Sequence, residues 1–354
     1  MKQLIRQLHR RIRPEDQIKR AAQTLTRPID NPIRSAQIET AATASLRLMR
    51  HQLRRLFGEE SRLTTERVET KYDRLAGRYL QDQFNAPDTA ELVWLQGRLQ
   101  VANRKDYYAA NYDERARWIA SWHPTSILEV GAGEWTTLAA ILQRLSSPVD
   151  AHAIDLSFPR LQRGKAFYER RPDAPTIRAS RALAQRLPYR DNSFDLVFTS
   201  HCLEHMPLTF PEAIDEALRV ARRAVIFFEP SFQRGSLLQK WRMTANGYAR
   251  GIEDTLRALP NATLHTAQLL DCARPFNRTA VFVLTPTPEP HNAHGPYRVC
   301  PDCRGRLQTG PNLWRCHHCQ LAFPVVDAIP DLGLDRAYSV ASPSDDSAAA
   351  SHSC

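Results

Sequence analysis

The chain has 354 residues, with 48 Lys and Arg against 38 Asp and Glu, a formal charge of +10, 42% hydrophobic and 24% charged residues. These values describe a globular protein long enough to bury a sizeable core and to divide into domains, and no apolar run approaches the roughly 18–20 residues that span a bilayer. Seven cysteines, four of them in two C-x-x-C pairs, fit a reducing, cytoplasmic setting and a metal better than a disulfide framework.

Met1 to Arg13 alternates Arg with Leu and Ile, without the continuous apolar core or cleavage site of a secretory signal. Helical spacing runs through residues 1–26, broken at Pro14, and a turn-rich linker follows at Arg27 to Pro32. Ser35 to Phe57 has no Gly or Pro and repeats apolar residues at three- and four-residue steps, which predicts a long amphipathic helix ended by Gly58. Further helices are expected over Ser61 to Phe84 and, with Asp88 as N-cap, over Thr89 to Leu99. Residues 1–60 hold thirteen basic and six acidic side chains, a local excess of +7. Such an excess is commonly a solvated face, and it also suits an anionic partner, either RNA or a membrane surface. Residues 1–102 therefore read as a basic helical extension, facing substrate or another subunit rather than forming a second catalytic centre.

Asn103 to Trp122 predicts a helix in which Tyr107, Tyr108, Tyr112, Trp118 and Trp122 pack on a sheet. Ile127, Leu128 and Val130 form a short apolar run typical of a buried parallel strand, which stops at Gly131 and Gly133. A helix begins near Thr136, and a second strand, Ala151 to Ile154, ends on Asp155. An acid there, roughly 20 residues past a glycine turn, is placed to accept hydrogen bonds from the ribose hydroxyls of a nucleoside. A dinucleotide site would want G-x-G-x-x-G, and the last position is Thr136. Later strands are expected at Thr176 to Ser180, Phe194 to Ser200 and Ala224 to Glu229. Helices are expected at Pro211 to Ala221 and over most of Gly235 to Leu259, and an antiparallel pair at Thr263 to Leu270 and Thr279 to Leu284. The alternation implies an α/β, doubly wound sheet.

Three segments carry a resemblance. Glu129-Val130-Gly131-Ala132-Gly133 resembles motif I of class I S-adenosylmethionine (SAM) methyltransferases. Leu187-Pro188-Tyr189-Arg190-Asp191-Asn192-Ser193-Phe194-Asp195-Leu196-Val197 and Ser200-His201-Cys202-Leu203-Glu204-His205 resemble the segments around strand four in the ubiquinone/menaquinone-type branch. The resemblance covers residues 103–286 and implies a seven-stranded, Rossmann-like methyltransferase sheet. It also implies SAM as cofactor, held by Glu129, Gly131, Ala132, Gly133, Asp155, Leu156, Ala184 and Ser200, and a leading helix, Asn103 to Trp122, that in such enzymes often lies over the methionine end of the cofactor. Two positions depart from the family: Trp135 stands where a third Gly is common, and Leu183 where an acid contacts the adenine amino group.

Thr285 to His291 is proline-rich, and residues 287–296 read as a linker. Beyond it, Cys300 and Cys303 are separated by twelve residues from Cys316 and Cys319. Two such knuckles place four thiolates tetrahedrally, as structural zinc requires. Phe323-Pro324-Val325-Val326-Asp327-Ala328-Ile329-Pro330 resembles the signature of the small zinc-ribbon activator of methyltransferases, here fused in cis as a domain over 297–336. Residues 337–354 read as a disordered tail.

Methyl transfer from a sulfonium is an in-line displacement, so alignment is the main task and a base is needed only for an acceptor that must lose a proton. His201 and His205, just past strand four, are the candidates for that role. The chain lacks the N-P-P-Y-type motif of amide methylation, which leaves oxygen or carbon of a small molecule, lipid or glycan as the methyl acceptor. An RNA-modifying protein and a scaffold that keeps the fold without catalysis are the other readings.

Overall fold

A computed structural model describes residues 63–84, 88–287 and 298–339. The helices expected over 1–26 and 35–57 with their basic excess, the 27–32 linker, nearly all of the 287–296 linker and the tail from residue 340 lie outside the described residues.

The described chain opens with helices α1 (Thr65–Arg74) and α2 (Arg78–Phe84), where one helix was expected. The break falls at Gly77, whose φ of 91° ends the first helix in a left-handed turn. The helix expected over Thr89 to Leu99 is instead an antiparallel hairpin, β1 (Ala90–Leu95) and β2 (Arg98–Asn103). Gln96 and Gly97 both take positive φ, 52° and 72°, the pair of left-handed residues a two-residue hairpin turn needs. The Trp94 amide and carbonyl bond the carbonyl and amide of Ala273 at 2.8 and 3.1 Å, which fixes the hairpin to the main domain.

Helix α3 (Arg104–Ala120) leads into β3 (Ser126–Val130), followed by α4 (Thr136–Leu142), β4 (Asp150–Asp155), α5 (Phe158–Tyr168), β5 (Ile177–Arg181) and β6 (Phe194–Ser200). Next come α6 (Phe210–Val220), β7 (Ala221–Pro230), α7 (Leu237–Ala245), α8 (Ile252–Ala258), β8 (Ala262–Leu269) and β9 (Thr279–Pro286). The sheet has seven strands in the order β5-β4-β3-β6-β7-β9-β8. Strands β5, β4, β3, β6 and β7 run parallel, and β9 joins antiparallel. All five residues of β3 are buried, as expected for a central strand covered by helices on both faces. The doubly wound sheet read from the sequence is thus the observed one. Its order reverses between β3 and β6, where α/β sheets bind ligands at the carboxyl ends of their strands.

Residues 298–339 add short strands β10 (Leu307–Gln308), β11 (Leu313–Cys316), β12 (Leu321–Val326), β13 (Ile329–Pro330) and β14 (Tyr338–Ser339). This ribbon is packed on the sheet rather than tethered beside it. Cys300, Cys316, Phe323 and Leu332 belong to the same apolar cluster as Leu128, Ile154 and Val197 of the sheet. The Leu332 amide donates to the Arg181 carbonyl at 2.8 Å, at the end of β5, and the Val299 amide to the Pro188 carbonyl at 2.9 Å, in the segment that follows β5. No helix of the described residues is long and apolar enough to cross a membrane.

Candidate active site

A cavity of about 610 Å³ opens at the carboxyl ends of β3, β4 and β6, within the roughly 300–1,000 Å³ of small-molecule sites. Of the residues the sequence proposes for the cofactor, Glu129, Gly131, Ala132, Asp155, Leu156, Ala184 and Ser200 line it, as do both candidate histidines. Gly133 does not. The Arg160 guanidinium covers it so closely that a Cβ there would lie 2.1 Å from Nη2. Gly131, at φ 79°, is packed as tightly from the other side, its notional Cβ 2.4 Å from the Cys202 sulfur. Gly131 is needed for space as well as for backbone conformation, and Gly133 for its φ of 53°.

Two acids stand at this turn. Glu129 is 1% exposed, its Oε2 has no hydrogen-bond partner, and burial pushes its carboxyl up to about 8. Asp155 accepts the Gly133 amide at 2.7 Å and the Ser157 amide at 2.8 Å, one on each oxygen. Each oxygen keeps a second lone pair. Arg160 stands 3.8 Å from Asp155 and lies over the rings of Tyr72 and Tyr79, 5.0 and 4.8 Å from their centroids.

The cavity's opposite wall is α1, read from the sequence as part of an appendage. Four ties hold it. Glu134, next to the glycine turn, accepts the Gly77 and Leu80 amides at 3.0 and 2.9 Å. Ser157 donates to Asp73 at 2.5 Å, Arg181 donates to Glu69 at 2.7 Å, and Tyr72 Oη meets His205 Nε2 at 2.5 Å. Helix α3 contributes Tyr107, Tyr108 and Tyr112 to the cavity, where packing on the sheet was expected, while its Trp118 and, just past its end, Trp122 pack against the apolar cluster. Arg115 of the same helix also lines the cavity, 2% exposed, with an unpartnered Nε.

Past β6 the chain turns at His201, held at φ 57°, into a short 3-10 turn over Leu203–His205. Glu229, at the end of β7, organises this loop by accepting from the Thr199 hydroxyl at 2.6 Å and the Cys202, Leu203 and Glu204 amides at 2.9–3.3 Å. Both ring nitrogens of His201 are engaged, Nδ1 by Glu204 at 3.1 Å and Nε2 by Thr279 at 2.9 Å. His205 is fully inside, and burial lowers it to about 3 despite Glu204 beside it. Burial opposes ionisation of Glu204 too, but His205, His201 and Arg242 outweigh it and hold its carboxyl at about 2. Burial also raises the Tyr72 phenol well above its usual range. Thus His205 is a neutral imidazole against a protonated phenol.

Tyr72, Glu134, Arg160 and Glu229 escaped the sequence reading. Glu134 carried the nearest thing to a signal, since it sits inside the glycine-turn segment; the other three act through contacts distant in sequence.

In the ribbon, one ligand atom each from Cys300, Cys303, Cys316 and Cys319 falls within 4.8 Å of the others. The Cys300–Cys319 and Cys303–Cys316 sulfurs are 3.5 and 3.4 Å apart, near the ~3.8 Å edge of a tetrahedron with metal–sulfur bonds of about 2.3 Å. The donor set and its closure fit a metal ion.

Residues 128–228 match the family model described as a methyltransferase domain. The chain is 35% identical over 104 residues to a malonyl-[acyl-carrier protein] O-methyltransferase of Halorhodospira halophila, covering 28% of this chain and 31% of that one. It is 30% identical over 92 residues to a demethylmenaquinone methyltransferase of Lactiplantibacillus plantarum, covering 26% and 38%. Among solved structures, magnesium protoporphyrin IX methyltransferase from Synechocystis PCC 6803 with bound SAH aligns at 12% identity and TM-score 0.45, over 61% of this chain and 98% of that one. The chain spans about a third of the length of the curated relatives it matches. Residues 128–228, which hold the glycine turn, Asp155 and both histidines, match a methyltransferase domain.

Proposed function

We propose that the cavity binds S-adenosylmethionine and that the protein transfers its methyl group to a small acceptor that arrives ionised at oxygen. The observation that carries this reading is one cavity with the glycine turn, Glu129 and Asp155 on one wall and the Tyr72–His205 pair on the other. When bound, the cofactor supplies an electrophilic methyl group on a sulfonium. Asp155 keeps lone pairs for ribose hydroxyls. Glu129, with an oxygen lacking a partner, and Arg115, with an unpartnered Nε, suit the charged amino-acid end. Leu183, Ala184 and Leu156 offer an apolar slot to the adenine, without the acid the family uses there.

The acceptor's state follows from the bases at hand. A histidine held neutral to about pH 3 is a weak proton acceptor, so His205 suits positioning more than stripping an alcohol. A carboxylate, or an acidic enol or phenol oxygen, needs no such step. Arg242 and Arg274 line the same cavity, paired with Glu204 at 3.8 Å and Glu91 at 3.3 Å, and bring guanidinium donors to it. Closure by α1 favours a small molecule over a polymer. The four ribbon cysteines we assign to structural zinc, with no open position for catalysis.

The test is to incubate the protein with methyl-labelled S-adenosylmethionine and a fractionated extract of its source cells. Label is expected in the small-molecule pool and lost in Asp155→Ala. Label in RNA or lipid would transfer the proposal to that acceptor class, and no label despite cofactor binding would overturn methyl transfer.

A further inference from the structure

Arg181 ends β5 without lining the cavity, and it is 1% exposed. All five of its N–H donors are used. Nε donates to the Leu156 carbonyl at 2.9 Å, Nη1 to Asp331 at 2.9 Å and Asp335 at 3.0 Å, and Nη2 to Glu69 at 2.7 Å and Asp335 at 2.9 Å. These partners come from three separate places: Leu156 from the loop after β4, Glu69 from α1, and both aspartates from the ribbon's last turn. Gly333 makes the arrangement possible, because a Cβ there would lie 1.9 Å from Nη1. One cation faces three carboxylates, so the cluster holds only while the fork is in place.

We infer that Arg181 is a positioning residue that latches α1 over the cavity, with the ribbon carboxylates as the fixed half of the latch. Of the other two ties to residues of α1 itself, Tyr72–His205 joins two residues that line the cavity and Ser157–Asp73 starts from one; the Glu69–Arg181 tie starts from a lining residue too. This one runs outward, to residues that touch nothing in the cavity. Substitution in the ribbon turn should therefore change both the mobility of α1 and the affinity of whatever the cavity holds. The affinity arm rests on the cofactor reading above; the mobility arm does not.

The test uses the full chain and three variants, Asp335→Asn, Glu69→Gln and the double. Asp335 has a half-exposed side chain, so its substitution spares the core. Two quantities are measured: hydrogen exchange of amides 65–74, and affinity for S-adenosylhomocysteine by calorimetry. In each single variant, α1 exchange is expected to rise several-fold and affinity to fall roughly 5-fold. The double variant is expected to match the larger single effect, because both cut one connection. Unchanged α1 exchange in Asp335→Asn, or effects of the two substitutions that simply add, would overturn the latch. A wild-type chain that binds no S-adenosylhomocysteine would overturn the cofactor reading, while the exchange data would still decide the latch.

Discussion

Trp135 is held at φ 64°, a left-handed backbone that costs a side-chain-bearing residue roughly 1–2 kcal/mol. Its indole is nevertheless 4% exposed and stacks on Tyr168. The conformation that glycine commonly serves at this position survives, and the large side chain has been turned into core. Trp135→Gly should relieve the backbone but open a cavity worth about 3–5 kcal/mol; a net fall in unfolding free energy of about 2–3 kcal/mol by urea titration is expected. Tyr72→Phe and His205→Gln test the pair across the cavity. Each should lower kcat by about 100-fold if the pair orients the acceptor, with affinity for S-adenosylhomocysteine held within about threefold. Buried neutral histidines also set an acid limit. His205 and His152 are both lowered to about 3 by burial, whereas an unfolded histidine titrates near 6.5. The unfolded chain therefore binds more protons between those values, and the stability the two sites contribute is complete above pH 6.5 and is lost as pH falls towards 3. A urea midpoint that declines from pH 7 to 5, and declines less in His152→Gln, is the expected result. Gly131 and Asp155 were legible because turn geometry and strand ends leave local marks. Tyr72 was not, because its meaning depends on His205, 133 positions away.

Among the elements, the sheet was legible nearly strand by strand, since short β-branched runs between glycines, prolines and helical repeats have few other readings. Phe194–Ser200 was placed to the residue. The hairpin β1–β2 was not, since Leu92, Val93 and Leu95 satisfy a helical period as readily as a strand, and Gln-Gly is a weak turn signal beside Asn-Gly. Helix α1 was found as part of an extension facing either substrate or another subunit, and the choice between them was not legible, because amphipathicity shows that a face is covered and not by what. A second turn repeats the lesson of Trp135. In the ribbon, Asp327 and its neighbour Ala328 sit at φ 51° and 60° between β12 and β13, where the resembling signature has Gly in place of Ala328. Ala328→Gly should raise stability by about 1 kcal/mol, read as a higher thermal midpoint.

At the scale of the molecule, the sequence separated the ribbon from the sheet by its proline-rich stretch, and the tertiary packing joined them again. Nothing in Cys-x-x-Cys spacing predicts that Phe323 and Leu332 complete an apolar cluster of the sheet. The docking lies along β5, the outermost strand on that side. Leu332 bonds the Arg181 carbonyl, and the Arg298 guanidinium covers the carbonyls of Arg178 and Ala179 at 3.1 and 3.4 Å. A strand edge left bare is a template for another chain. The cover closes that edge to a second chain: if the four cysteines hold zinc as proposed, a chelator should loosen the cover and yield concentration-dependent light scattering, which added zinc suppresses and which does not depend on any ligand in the cavity.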